Sequence, residues 1–433
     1  MNKKILNIAI PSIVSNITVP LLGLIDVAIV GHLGSASYIG AIAVGGMLFN
    51  MIYWIFGFLR MGTSGMTSQA YGRRNMEEVI SLLVRSLGVA SFISVVLLLL
   101  QYPLLKIAFG LIRPTEEVAV YASSYFHICV WGAPAVLGLY GLSGWFIGMQ
   151  NSRFPMFVAI TQNIINIIAS LFFVYGLDMK VEGVAFGTLT AQYGGFLMAI
   201  FLWYKYYGRL GRYFDNRICW GRDKMYAFFR LNRDIFFRTL CLVAVTTFFT
   251  SAGARQGDVV LAVNTLLMQF FTLFSYVMDG FAYSGEALSG LYIGSGNKVL
   301  LNKMIKNLFY WGIGMALLFT CLYAIGGKTF VSLLTDEKEV ITASMEYLPW
   351  IIVVPIAGFS AFLWDGIFIG ATSSKYMLIA MFVASVCFFL IYNVCYTKYE
   401  NHALWLAFMV YLSARGVVQT ICRKRALATI VPV

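Results

Sequence analysis

The chain has 433 residues, of which 60% belong to the hydrophobic set and 12% are charged, and its mean hydropathy is +0.80. Water-soluble domains carry about 25% charged residues, so an ordinary soluble enzyme is excluded as a class. The net charge of +12 would suggest nucleic acid in a soluble protein. Here the charges sit in short segments between apolar runs, which reads as membrane topology with no nucleic-acid partner. The seven Cys are odd in number and form no CxxC pair, and the three His have no ligand spacing. Neither a disulfide framework, a metal centre nor any other resident cofactor is expected.

A membrane helix needs roughly 20 apolar residues. Taken in chain order, runs of that kind fall at 5–30, 39–65, 82–105, 118–141, 155–175 and 183–206. A second set falls at 235–251, 259–283, 308–325, 345–368, 377–395 and 403–421. The first run is too long for the apolar core of a cleavable signal and is expected to remain in the mature protein. With the N-terminus placed inside, about 23 of the 31 Lys and Arg fall on one side, as an even number of spans with both termini cytoplasmic requires.

The longest polar stretch lies mid-chain. It divides the sequence into an N-terminal lobe at 1–206, a cytoplasmic linker at 207–233 and a C-terminal lobe at 234–433. The two halves also repeat one another. Gly144-Trp145-Phe146-Ile147-Gly148 recurs 222 residues later as Gly366-Ile367-Phe368-Ile369-Gly370, and Gly72 and Asn75 recur as Gly294 and Asn297. A six-span half starts and ends on the same side, so the repeats are parallel. The fold class expected is an all-α integral membrane protein of twelve transmembrane helices in two six-helix bundles facing one another across a cleft.

Ionisable side chains are costly in hydrocarbon, about 2.5–3.5 kcal/mol on insertion scales, and each is therefore a functional candidate. Asp26 lies in the first span downstream of Pro11 and Pro20, which remove backbone donors and favour bending of that helix. Desolvation favours the neutral carboxyl, so an acid buried there is suited to take up and release protons near neutral pH. Asn163, Asn166 and Ser170 on the fifth span, with Thr188 and Gln192 on the sixth, supply oxygens at helical spacing. They either cradle a Na⁺, orient a proton-carrying Asp26, or hold helices together. Arg60 either snorkels to the interface or pairs with an acid. Asp279 and Glu286 share one face of the eighth span and, with Asp365 on the tenth, line a cavity or pair between helices. Met47, Met51, Met61 and Met268 are candidates for an adaptable apolar wall.

Several motifs then point one way: PLLGLIDVAIVGHLG at 20–34, GFLRMGTSGMTSQAYG at 57–72, NRDIFFRTL at 232–240, GARQGDVVLAVN at 253–264, DGFAYSGEAL at 279–288 and DGIFIGAT at 365–372. In order and over almost the whole chain, they resemble the multidrug and toxic compound extrusion (MATE) family, in its DinF-like bacterial branch. The resemblance implies a MATE-like monomer in the bacterial inner membrane among membrane lipids. It also implies an antiporter that exports small amphipathic, often cationic, compounds in exchange for H⁺ or Na⁺. It makes Asp26 the coupling carboxylate, Pro11 the bending point, and Asn166 and Thr188 partners in a cation site. By the same likeness Asn264 joins the cavity residues.

Ser170 departs from the pattern, since many relatives carry a second carboxylate there. Its loss removes a negative charge from any Na⁺ site at Asp26, Asn166 and Thr188, and a hard cation prefers charged oxygens. H⁺ is therefore the expected coupling ion, with Na⁺ as the alternative. The competing readings are a lipid-linked precursor flippase, a membrane-embedded enzyme and a channel. An enzyme would require clustered His, paired acids or a nucleophile with its base, and the sequence offers none.

Overall fold

The computed structural model describes residues 1–31 and 35–428. His32, Leu33 and Gly34 of the first motif, and residues 429–433, lie outside the described residues.

The described chain is helical throughout. In order it forms α1 (Asn2–Gly31), α2 (Ala36–Ile55), α3 (Phe58–Gly72), α4 (Met76–Leu99), α5 (Gln101–Ile112), α6 (Glu116–Cys129), α7 (Ala133–Gly148), α8 (Arg153–Leu171) and α9 (Lys180–Tyr207). These are followed by α10 (Asn216–Cys219), α11 (Arg222–Ala254), α12 (Asp258–Gly294), α13 (Lys298–Leu334), α14 (Lys338–Gly370) and α15 (Ser374–Ala426). Eleven helical segments among the described residues are long and apolar enough to cross a bilayer. The last of them, α15, has 53 residues, which at about 1.5 Å per residue is far longer than a bilayer is thick. Its backbone leaves the helical region at Glu400, φ 45° and ψ −117°. Two spans are thus joined at that break, which makes twelve, as the sequence led us to expect.

The helices outrun the apolar runs. The seventh span was expected from 235, yet α11 starts at Arg222, inside the stretch read as linker, because no Gly or Pro interrupts the chain after Gly221. α12, α13 and α14 run 33–37 residues, since the polar flanks of each span are themselves good helix formers. α1 is helical without a break through Pro11 and Pro20. The expected bend is not marked there by any interruption of the helix.

By its contacts the chain forms two compact units, Val14–Ala227, and Met1–Ile13 together with Phe228–Val433. The first helix therefore belongs to both. In the second unit Ser284 Oγ donates to the Ile5 carbonyl at 2.8 Å and Asn307 Nδ2 to Asn2 Oδ1 at 2.9 Å. In the first unit Tyr175 OH donates to the Ile29 carbonyl at 3.3 Å.

Within each unit the repeat is preserved in atomic detail. In the first, Gly144 of α7 packs against the Arg60 carbonyl of α3, and Gly148 packs against the Ser64 carbonyl. In the second, Gly366 of α14 packs against the Ala282 carbonyl of α12, and Gly370 packs against the Glu286 carbonyl. All four pairs keep the 222-residue offset, and close backbone approach through a small-xxx-small pair is how membrane helices gain packing without a hydrophobic driving force between them. The turns repeat too. Asn75 and Asn297 cap α4 and α13, each accepting from a backbone N–H at 2.9 Å. The residue before each cap, Arg74 or Gly296, is left-handed at φ 59° and 68°.

Candidate functional site

In the first unit, α1, α6, α8 and α9 bring polar groups together in an otherwise apolar interior. Asp26 is buried at 4% exposure. Its Oδ2 accepts from Thr188 Oγ1 at 3.0 Å, and that hydroxyl accepts from Asn166 Nδ2 at 3.3 Å. The Tyr125 hydroxyl and Cys129 thiol of α6 neighbour this chain of hydrogen bonds. On α1, α8 and α9, Asp26 Oδ1, Asn163 Oδ1, Asn166 Oδ1, Ser170 Oγ and Gln192 Oε1 are buried with no hydrogen-bond partner among the described residues; Gln192 Oε1 faces Gly132.

Local sequence explains the convergence. Asn166 and Ser170 are one turn apart on α8, and Gly187 of α9 lies directly against Ser170, so the two helices approach closely and carry Thr188 towards Asp26. Immediately after α8, residues Phe172–Gly176 form a π-helical turn, a feature frequent at functional sites. Four of the expected coupling residues, Asp26, Asn166, Ser170 and Thr188, thus occupy one neighbourhood. Among the described residues the cluster holds one formal charge, Asp26, and no Lys, Arg or His is paired with it. A buried polar atom without a partner costs about 1–3 kcal/mol, and oxygen acceptors beside a carboxyl are the donor set that suits a proton or a small cation.

The second unit contains a different polar centre. Asp365 of α14 accepts from Arg238 of α11 and from Arg415 and Gln419 of α15, all four side chains being buried. The sequence left pairing between helices and cavity lining open for Asp365; both its oxygens are used between helices, which is how a buried charge is made tolerable. Asn264, expected among the cavity residues, is also bonded between helices. Its carboxamide forms a reciprocal pair with Asn401 at 2.8 and 3.0 Å, and its oxygen also accepts from Trp405 Nε1 at 2.9 Å.

Of the remaining candidates, Glu286 is buried, and Arg60, Asp279, Gln192, Met61 and Met268 are half-buried. Met47 and Met51 are exposed on α2 at 52% and 50%, and Pro11 is buried where Pro20 is half-buried. Sequence reasoning missed Arg85, Arg238 and Arg415, since among the cations inside spans it weighed Arg60 alone. All three are cations within or beside apolar runs and answer to the same cost argument.

Comparison with known proteins places this architecture. The family model MatE matches residues 11–172 and 235–394. The chain is 36% identical over 416 residues to DNA damage-inducible protein F of Escherichia coli, covering 96% of this chain and 90% of that protein. It is 22% identical to Multidrug and toxin extrusion protein 2 of Mus musculus, over 78% of this chain and 59% of that one. The crystal structure of the Vibrio cholerae MATE transporter VcmN in the bent form superposes with a TM-score of 0.87 at 17% identity, covering 99% and 97% of the two chains. Fold and family together define a multi-pass membrane transporter of two helical bundles, not an enzyme. The chain belongs to the MatE family, and its similarity to the E. coli protein runs over nearly its full length.

Proposed function

We propose that the chain is a proton-coupled antiporter of the bacterial inner membrane, with both termini cytoplasmic, that exports small amphipathic, often cationic, compounds. The observation that carries this reading is the buried Asp26 carboxyl, held on one oxygen by Thr188 and with no paired cation among the described residues, while Asp365 is neutralised by two arginines. A carboxyl without a counter-ion can change its charge at modest cost, whereas one clamped by two guanidinium groups cannot. Ser170, where a second carboxylate would favour Na⁺, leaves the cluster with a single negative charge, which supports H⁺ as the coupling ion. The E. coli relative supports the inner membrane, and the name of the mouse relative supports drugs and toxins as cargo.

Transport then follows from linkage. Protonation of Asp26 favours one packing of the helices around it and the exported compound favours the other, so inward proton flow drives the compound out. The coupling is bounded by each ligand's differential affinity for the two states. The test is efflux of a fluorescent lipophilic cation from proteoliposomes under a pH gradient or a Na⁺ gradient alone. The pH gradient drives efflux in the wild type and not in Asp26→Asn. Efflux driven only by Na⁺ overturns the ion, and gradient-independent movement of a lipid-linked substrate overturns the antiporter.

A further inference from the structure

The end of α9, the segment that follows it and the start of α11 form a strongly cationic surface of the first unit. From 205 to 227 this stretch carries Lys205, Arg209, Arg212, Arg217, Arg222 and Lys224 against two acids, Asp215 and Asp223. All six cations are exposed. Lys224 is paired with Glu78 at 3.2 Å, and the other five have no ion-pair partner among the described residues. Asp215 is occupied in capping α10, accepting from the Arg217 backbone N–H at 2.8 Å.

This surface is fixed in place. Cys219 is fully buried with its thiol 3.6 Å from the Ser81 carbonyl. Arg85 of α4, itself wholly buried, donates from Nε to the Cys219 carbonyl at 3.0 Å. The Trp220 ring lies over Gly88 so closely that a Cβ there would be 2.6 Å from it. Docked in this way, the segment presents its arginines outward beside exposed rings, Tyr204, Tyr206, Tyr213, Phe214, Trp220 and Tyr226, each 37–74% accessible. Cations alternating with half-exposed aromatic rings at the end of a membrane span suit the boundary between headgroups and water, where rings sit at headgroup level and guanidinium groups reach phosphate.

We propose that this docked linker is a binding surface for anionic phospholipid headgroups, and that acidic lipid is recruited to the face built by Arg209, Arg212, Arg217 and Arg222. The inference stands apart from ion coupling, since none of these residues belongs to the polar cluster around Asp26. A bilayer is favoured over a soluble acidic partner because the segment emerges directly from the α9 span and exposes rings as well as charge.

The test uses the full chain reconstituted in phosphatidylcholine bilayers containing either brominated phosphatidylglycerol or brominated phosphatidylcholine at equal mole fraction. Trp220 emission is taken as the difference between wild type and Trp220→Phe. The expected result is enrichment of the acidic lipid at Trp220 by about fivefold or more at low salt, the effect of one engaged basic side chain. It is lost in 1 M salt, where the Debye length is about 3 Å, and in Arg209→Gln/Arg212→Gln/Arg217→Gln. Anionic phospholipid retained per protein after detergent extraction needs no change at Trp220 and falls in the same triple variant. Equal quenching by the two lipids, quenching by neither, or retention unchanged in the triple variant overturns the proposal.

Discussion

The crossing of α12 and α14 leaves no room for a methyl group at Gly366. A Cβ built there lies 2.7 Å from the Ala282 carbonyl carbon, closer still to its oxygen, and real Cβ atoms essentially never come within 3.0 Å of such neighbours. The obstacle is backbone in the middle of a long helix, so it cannot rotate away. The two helices must separate until that carbon reaches ordinary contact, at least 3.4 Å, and neighbouring contacts along the crossing are lost with it. Overpacking of this kind costs about 1–3 kcal/mol, and a backbone obstacle puts Gly366→Ala at the upper end. In a unit of this size a loss of about 3 kcal/mol lowers the unfolding midpoint by about 6–12 °C, at about 2–4 °C per kcal/mol. Thermal unfolding in detergent, followed by loss of the monodisperse peak, reads this directly. Gly144→Ala, against the Arg60 carbonyl, should fall by a similar amount because the repeat makes the same crossing. Gly314→Ala in α13, with nothing within 4 Å of the new atom, should be neutral or raise the midpoint, since Ala is favoured over Gly in a helix by about 0.5–1 kcal/mol. Midpoints for the two crossing variants within a degree of Gly314→Ala would refute the reasoning.

Asp365→Asn keeps the shape of the acid but leaves Arg238 and Arg415 uncompensated, so we expect about 3–5 kcal/mol of destabilisation. Adding Arg415→Met should recover part of it in the same unfolding assay. Asn401→Leu strands the Asn264 side-chain amide in an apolar interior and should cost about 1–3 kcal/mol, whereas a neutral result would show that the reciprocal pair is dispensable. Arg85→Met removes the donors that hold the Ile218 and Cys219 carbonyls. Tryptic cleavage at Arg209, Arg212 and Arg217 should then accelerate about tenfold in proteoliposomes, because cleavage follows the population of the opened segment. With Asp26→Asn in the transport assay, these variants test the crossings, the two polar centres and the linker separately.

Much of the candidate site was legible because its signals are local. Asp26 stands out as a charge inside an apolar run, and Asn166 and Ser170 declare a shared face by their spacing alone. What they meet was not legible in the same way. Asp365 and Asn264 carry the same kind of signal, a polar group in hydrocarbon, but their partners Arg238, Arg415, Gln419, Asn401 and Trp405 lie 50 to 141 residues away. Spacing on one helix carries no information about such partners. The buried arginines were overlooked for a simpler reason: the cost argument applies to both signs of charge and was carried to one cation, Arg60, alone.

The sequence by itself determined that this protein is a twelve-span membrane protein with a parallel repeat. Hydrocarbon obliges the backbone of a span to satisfy its own polar groups, and runs of about 20 mostly apolar residues, the length of a spanning helix, are written residue by residue. It also determined where the halves correspond, because the glycines that permit close crossing recur at a constant offset. Only the tertiary structure decided that Asp365 is neutralised, since that depends on whether guanidinium groups from other helices arrive within hydrogen-bonding distance. It likewise decided that the polar linker is docked rather than loose: its anchors, Arg85 and Gly88, sit on a helix more than a hundred residues earlier in the chain.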